Sequence, residues 1–143
     1  MAVSQMTEFV SRKMRGPLIW GQSDCFCVVA DWVYERTGFD PGARWRGQYS
    51  TQDEARRILR REGGLVGLMS AVMSSFCGVS QGQLEAGDVC VAMTDAVYAG
   101  HRTKAHVCAI SVDGNMCVFK YRDNAATYLS APLLEPVVSW RLT

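Results

Sequence analysis

The sequence lacks long apolar runs, and it lacks an excess of charge of either sign. Its 143 residues carry 15 lysines and arginines against 14 acidic residues, a formal net charge of +1. A nucleic-acid-binding protein needs a clustered basic excess, so we expect no nucleic-acid partner. No segment reaches the roughly 20 apolar residues that span a bilayer, and the N-terminal stretch lacks the apolar core of a signal peptide. We therefore expect that the protein does not insert into a membrane. We also expect that it is made without a signal peptide.

The composition does not suggest disorder, because 48% of the residues are hydrophobic. A chain of this length can bury one core without covalent cross-links. There is no internal repeat, linker or low-complexity segment. We predict a single domain over residues 1–143.

Six cysteines are the unusual feature of the composition. The sequence has no C-x-x-C pair, and Cys25 and Cys27 are the one close pair, with a spacing that suits a zinc site poorly. Most of the cysteines stand among apolar neighbours, which is typical of small core residues. We predict no metal and no cofactor, and we keep a metal-binding module that uses the extra cysteines as a weak alternative.

Helices precede strands along the chain, which favours an α+β fold with N-terminal helices packed on a C-terminal antiparallel sheet. Apolar spacing, Asp24 as an N-cap and a capping box at Thr51 and Glu54 predict the helices. Their predicted ranges are Ser4–Met14, Asp24–Thr37, Thr51–Glu62 and Leu65–Phe76. The predicted strands are Val89–Met93, Ala105–Val112, Met116–Tyr121, about Tyr128–Leu129 and Val137–Leu142.

Cys25 is the cysteine whose position suggests chemistry. It follows Trp20-Gly21-Gln22-Ser23-Asp24 and opens the second predicted helix. The free N–H groups and dipole of a helix N-terminus stabilise a thiolate, so this position is expected to lower the pKa of the cysteine. The structural alternative is a half-buried cysteine that packs under Trp20.

Nucleophilic catalysis by a thiol also needs a base, and the chain has only two histidines, His101 and His106. His106 opens an apolar strand, whereas His101 lies in a polar stretch that we predict to be an exposed loop. His106 is therefore the candidate base. The alternative is a partly buried histidine at the start of a strand.

Three segments together resemble the NlpC/P60 family of cysteine peptidases, in its compact group of bacteriophage and prophage genomes. Trp20-Gly21-x-x-Asp24-Cys25 is similar to the family's W-G-x-x-D-C motif. The segment 84–89 (LEAGDV) resembles its L-x-x-G-D strand start, and residues 106–110 (HVCAI) resemble its H-V-G-I-Y strand. The segments occur in the family's order.

The resemblance implies a papain-like fold, in which a helix that carries the nucleophile packs on a sheet that carries the base. It implies that Cys25 is the nucleophile, that His106 is the general base, and that Trp20 and Asp24 shape the site. The implied substrate is the stem peptide of the bacterial cell wall. The implied location is the tail of a phage virion after synthesis in the bacterial cytoplasm, with other phage tail proteins as partners.

The third residue of the family's site, which orients the imidazole, should fall near Val118, and valine has no hydrogen-bonding group. Asn115 and Lys120 are the nearby candidates, and Asp123 or Asn124 on a folded-back segment is left open. The family's glycine after H-V is replaced by Cys108. The alternative function is therefore a catalytically weak or inactive structural component of a phage tail tip.

Overall fold

Four helices form the N-terminal half of the chain. The structure, a computed structural model, describes residues 2–80, 83–130 and 135–142. The helices are α1 (Ala2–Lys13), α2 (Cys25–Thr37), α3 (Gln52–Arg61) and α4 (Gly64–Ser74). All four were predicted from the sequence, and their ends agree to within one or two residues.

The helix ends follow from capping side chains. The Asp24 carboxylate accepts a hydrogen bond from the backbone N–H of Cys27 at the start of α2, and Thr51 does the same for Glu54 at the start of α3. Gly38 ends α2 in the left-handed conformation, with φ 82°. The caps therefore fix Cys25 as the first residue of α2.

A five-stranded antiparallel sheet forms the C-terminal half, which confirms the α+β class. Its strands are β1 (Val89–Tyr98), β2 (His101–Ser111), β3 (Met116–Arg122), β4 (Ala125–Ser130) and β5 (Glu135–Trp140). The spatial order is β4-β3-β2-β1-β5. The strands at the two edges line one cavity of about 380 Å³, at Leu129 of β4 and Pro136 of β5, so the sheet is strongly curled.

The β1–β2 hairpin is longer than the sequence predicted. The two strands pair without interruption from Val89↔Ile110 to Tyr98↔His101. Ala99 and Gly100 form the tip with φ 53° and 80°, which suits the right-handed twist of a long hairpin. His101 thus begins a strand, and its prediction as a loop residue is wrong. The outer half of the hairpin was missed because it is exposed, and its polar composition resembles that of a loop.

The main core lies between the helices and one face of the sheet. Val91, Cys108, Ile110 and Val118 supply the sheet side of this core, and Trp32 and Met69 are among its helix residues. A second, smaller cluster lies on the other face of the curled sheet and includes Cys90, Ala109, Cys117 and Phe119. Within the described residues, no helix is long and apolar enough to cross a membrane.

Candidate active site

Cys25 lies at the start of α2, directly after a tight turn. The backbone N–H groups of Gln22 and Ser23 both donate to the carbonyl of Ile19, at 3.0 and 2.9 Å. Asp24 then caps the helix, and Cys25 is its first residue. The Cys25 side chain is half-buried and lines a cleft.

A buried carboxylate holds this turn in place. Asp24 is only 2% exposed, and it accepts hydrogen bonds from three groups. These are the N–H of Gly21 at 2.8 Å, the N–H of Cys27 at 3.0 Å and the Tyr49 hydroxyl at 2.7 Å. Burial, followed by the charge of Asp24, raises the pKa of Tyr49, so the phenol stays protonated and remains a donor. Asp24 therefore holds the backbone turn that precedes Cys25.

Gly21 is required by the same turn. Its φ is 84°, and a side chain on it would collide with the carbonyl oxygen of Tyr49. Its own carbonyl accepts from the N–H of Gly47 at 3.0 Å, which joins the turn to the irregular segment before α3. Trp20, the other residue predicted to shape the site, is half-buried and lines the cleft.

His106 and Cys25 line the same cleft. In β2, the side chains of Cys108 and Ile110 point to the helices, so the alternation of a strand places His106 on that same face. Interaction with the Cys25 thiol, together with burial, raises the pKa of the Cys108 thiol. Cys25 therefore packs against the residue that is next to His106 along this face. Both residues that the sequence singled out line this cleft, where Cys25 is half-buried and His106 is exposed.

The other cysteines are poor nucleophile candidates. Cys27 is fully buried, and desolvation followed by the charge of Asp24 raises its pKa to about 12. Burial also raises the pKa of Cys77. Cys90 lies on the other face of the sheet, where its Sγ is 3.9 Å from that of Cys117. All six cysteines are free thiols. Within the described ranges, no three His, Cys, Asp or Glu side chains are grouped so that they could hold a metal ion.

The cleft has a volume of about 1140 Å³ and two unlike walls. One wall comes from α3 and α4, and its apolar residues include Ile58, Leu65 and Leu68. The other is the outer half of the β1–β2 hairpin, which carries Arg102 and Lys104. Cys25 and His106 lie between the two walls, and an extended ligand can reach both.

The candidates for an orienting third residue do not contact His106. Asn115 is exposed in the β2–β3 turn and lines the smaller cavity instead. Lys120 is buried, and its ammonium group donates to the carbonyls of Met14 and Gly16. A protonated amine cannot accept a hydrogen bond from an imidazole N–H. Among the described residues, none is hydrogen-bonded to the His106 ring.

Asp123 is the remaining carboxylate on the cleft besides Asp24. One of its oxygens accepts from the backbone N–H of Leu18 at 2.6 Å, and the other oxygen has no hydrogen bond from the described part of the chain. Asn124, the other residue left open, adopts φ 56° in the β3–β4 turn, and its N–H donates to Gly16. Of these two residues, Asp123 is thus the one that lines the cleft with His106.

Sequence reasoning missed the role of Tyr49. Its segment is rich in Gly, Pro and Arg, and such a segment gives no helix or strand periodicity from which a contact with Asp24 follows. A signal was present, because a tyrosine that becomes buried usually needs a partner for its hydroxyl. That partner lies 25 residues away in the chain.

Comparison with known proteins corrects the family prediction. Neither a curated protein nor a solved structure matches the chain. The predicted membership of the NlpC/P60 family is wrong, because the family model that matches is a different one. The motifs misled because Gly21, Asp24 and Asp88 meet local demands of a turn, a helix cap and a strand start, which are shared by unrelated proteins. From residue 3 to residue 131 the chain matches the family described as domain of unknown function DUF6950, and it belongs to that family.

Proposed function

We propose that this protein is a thiol hydrolase that cleaves peptide or amide bonds, with Cys25 as nucleophile and His106 as base. One observation carries the proposal. Cys25 is held at the first turn of α2 against Cys108, and His106 is the adjacent residue on the same strand face and in the same cleft. A nucleophile and a base on two rigid elements are what covalent catalysis requires.

The proposed reaction is acyl transfer through a thioester. His106 takes the proton of the Cys25 thiol, and the sulfur attacks the carbonyl carbon of the substrate. The first backbone N–H groups of α2, those of Cys25 and Phe26, point toward the developing oxyanion. The imidazolium then gives its proton to the leaving amine, and the carbon–nitrogen bond breaks. Water, deprotonated by His106, hydrolyses the thioester and returns the free thiol.

A papain-like arrangement is the finer description of the fold in this proposal. Its support is that the helix with the nucleophile packs on an antiparallel sheet that carries the base. The stem peptides of the bacterial cell wall and a location in a phage tail stay predictions from the sequence motifs. Peptidoglycan is accordingly the first substrate to test.

The test combines site mapping with digestion. At pH 7, a small thiol-specific electrophile such as iodoacetamide should label Cys25 faster than the other cysteines, as read by peptide mass spectrometry. Purified peptidoglycan is then incubated with the wild type, Cys25→Ala, His106→Ala and the control Cys77→Ala. Cys77 is also half-buried, but it lies outside the cleft. Release of stem-peptide fragments that is lost in the first two variants and kept in the control supports the proposal.

A non-catalytic role is the second candidate, and one observation favours it. The His106 ring has no orienting hydrogen bond from the described residues, whereas a catalytic imidazole usually has one. In that case the protein would be a structural component, as in the tail-tip alternative. Equal, slow labelling of all six cysteines, and no Cys25-dependent cleavage of peptidoglycan or of a general peptide mixture, would establish this role and reject the hydrolase.

A further inference from the structure

The cleft exists because β2 and β3 separate. These strands pair at Ile110↔Val118 and Ser111↔Cys117, and no later pair follows in the described residues. β2 continues for nine more residues toward its start at His101, paired only with β1. Residues of β2 and the last residues of β3 both line the cleft, so the space between the two strands is open.

The direction of the backbone groups in β2 follows from the hydrogen bonds near its end. The N–H of Val112 donates to Met116 on the β3 side at 2.8 Å, whereas the N–H of Ser111 donates to Asp88 on the β1 side at 2.8 Å. Successive residues of an antiparallel strand point these groups to opposite neighbours. The N–H and C=O groups of Lys104 and His106 therefore point toward β3, into the open space.

These groups are available to a ligand. Within the described residues, the one hydrogen bond to these groups is long: the Thr103 hydroxyl donates to the Lys104 carbonyl at 3.4 Å. Lys104 and His106 thus form a free strand edge that lines the same cleft as Cys25. An unpaired strand edge is a template for an added extended chain.

The charges on the cleft indicate what kind of chain would fit. Arg102 and Arg122 line it, and neither has an ion pair with a residue that the structure describes. Of the two carboxylates on the cleft, Asp24 is buried under three donors, and Asp123 accepts from the N–H of Leu18 through one oxygen. Arginine binds carboxylates with two parallel hydrogen bonds, so a ligand with a carboxylate complements this lining.

We propose that the free edge of β2 at Lys104 and His106 binds an extended, carboxylate-bearing peptide as an added strand, with the carboxylate on Arg102 and Arg122. The inference rests on the proposed function, because it makes this peptide the substrate whose carbonyl is presented to Cys25. Main-chain hydrogen bonds give the register along β2, and the arginines give the preference for a negative charge.

Amide hydrogen exchange tests the free edge of β2 at Lys104 and His106 directly. The protein used is the intact chain with Cys25→Ala, so that the peptide is not cleaved. The probes are two blocked hexapeptides, acetyl-Ala-Ala-Glu-Ala-Ala-Ala-amide and its lysine counterpart. We expect the Lys104 and His106 amides to exchange fast in the free protein and to slow at least about tenfold with the glutamate peptide. The neighbouring amides of Ala105 and Val107, which point to β1, are the internal control and should be protected in both states.

Substitution of the arginines tests the preference for a carboxylate separately. Arg102→Gln and Arg122→Gln should each weaken binding of the glutamate peptide about tenfold and leave the lysine peptide unaffected. Arg60→Gln is the control, because Arg60 is exposed on α3 and outside the cleft. Equal binding of the two peptides, or equal effects of all three substitutions, would overturn the carboxylate preference.

Failure of this inference differs from failure of the hydrolase proposal. If Lys104 and His106 are already protected in the free protein, or are unchanged by a peptide that binds, the added strand is rejected whatever the activity. If the edge becomes protected but the wild type shows no Cys25-dependent cleavage, the strand-binding edge stands and the hydrolase falls.

Discussion

Cys25 and Cys27 are separated by one residue in the first turn of α2, yet their surroundings are opposite. Cys25 is half-buried on a cleft that also holds His106. Cys27 has no exposed surface, and its Sγ lies 3.7 Å from the Tyr49 hydroxyl. The helix N-terminus is common to both residues, so it does not account for the difference. Rotation about the helix axis does, because it directs one side chain to the cleft and the other to the core.

The largest difference should appear in catalysis. Cys25→Ala should lower the rate of peptide cleavage by about 10⁴-fold or more, because no other group can form the thioester. Cys27→Ala should retain most of the activity and lose about 1–2 kcal/mol of stability from the space left by its sulfur. Cleavage rates and urea unfolding curves of the two variants measure this difference. Similar rates for both would remove Cys25 from the mechanism.

The next largest effect should come from Asp24, the carboxylate that precedes Cys25 and accepts from the N–H of Cys27. Asp24→Ala should lower the free energy of unfolding by about 3 kcal/mol, because three donors lose their acceptor in a buried site. Asp24→Asn should cost less, since its amide oxygen can still accept from some of these donors. Urea unfolding at pH 7 distinguishes the two variants. A loss below about 1 kcal/mol for Asp24→Ala would contradict the role of Asp24 in holding the turn.

The pH dependence of stability should reflect the burial of Cys27. The folded-state pKa of Cys27 is raised from 9.0 to about 12, so the folded protein keeps a proton that the unfolded chain releases. The stabilisation is complete below pH 9 and falls as the pH rises from about 9 toward 12. Unfolding curves at pH 8, 9 and 10 should show this decline, and Cys27→Ala should reduce its slope. Burial also raises the pKa of Cys77 and Tyr49, and interaction with Cys25 together with burial raises that of Cys108, so part of the slope should remain.

The contrast between the two cysteines was only partly predictable. The cap at Asp24 and the stop at Gly38 are local signals, and they were sufficient to place Cys25 at the start of α2. The β-rich composition of residues 105–112 likewise predicted the buried inner part of β2, but His106 lies in the middle of that strand and not at its start. These features depend on neighbours in the sequence, which is why the sequence shows them.

The features that shape the cleft depend on distant segments. The outer half of the β1–β2 hairpin is held by backbone pairing and by exposed contacts such as Lys104–Glu135, and neither leaves an apolar pattern. The separation of β2 from β3 is also not encoded in either strand alone. Lys120 shows the same limit, because its burial is possible only where the chain near Met14 and Gly16 supplies carbonyl acceptors.

The smallest effect should come from the hydroxyl that lies between Cys27 and Asp24. Tyr49→Phe removes one of the three donors to Asp24 and leaves the N–H groups of Gly21 and Cys27 in place. We expect a loss of about 1.5 kcal/mol in the free energy of unfolding, the low end of the range for a hydrogen bond to a charged group, because Asp24 keeps its other two donors. Tyr34→Phe, at a position 55% exposed, is the matched control and should be neutral. Because the turn keeps two of its three contacts, cleavage should fall only a few-fold, whereas a loss as large as that of Cys25→Ala would mean that Tyr49 itself acts on the substrate.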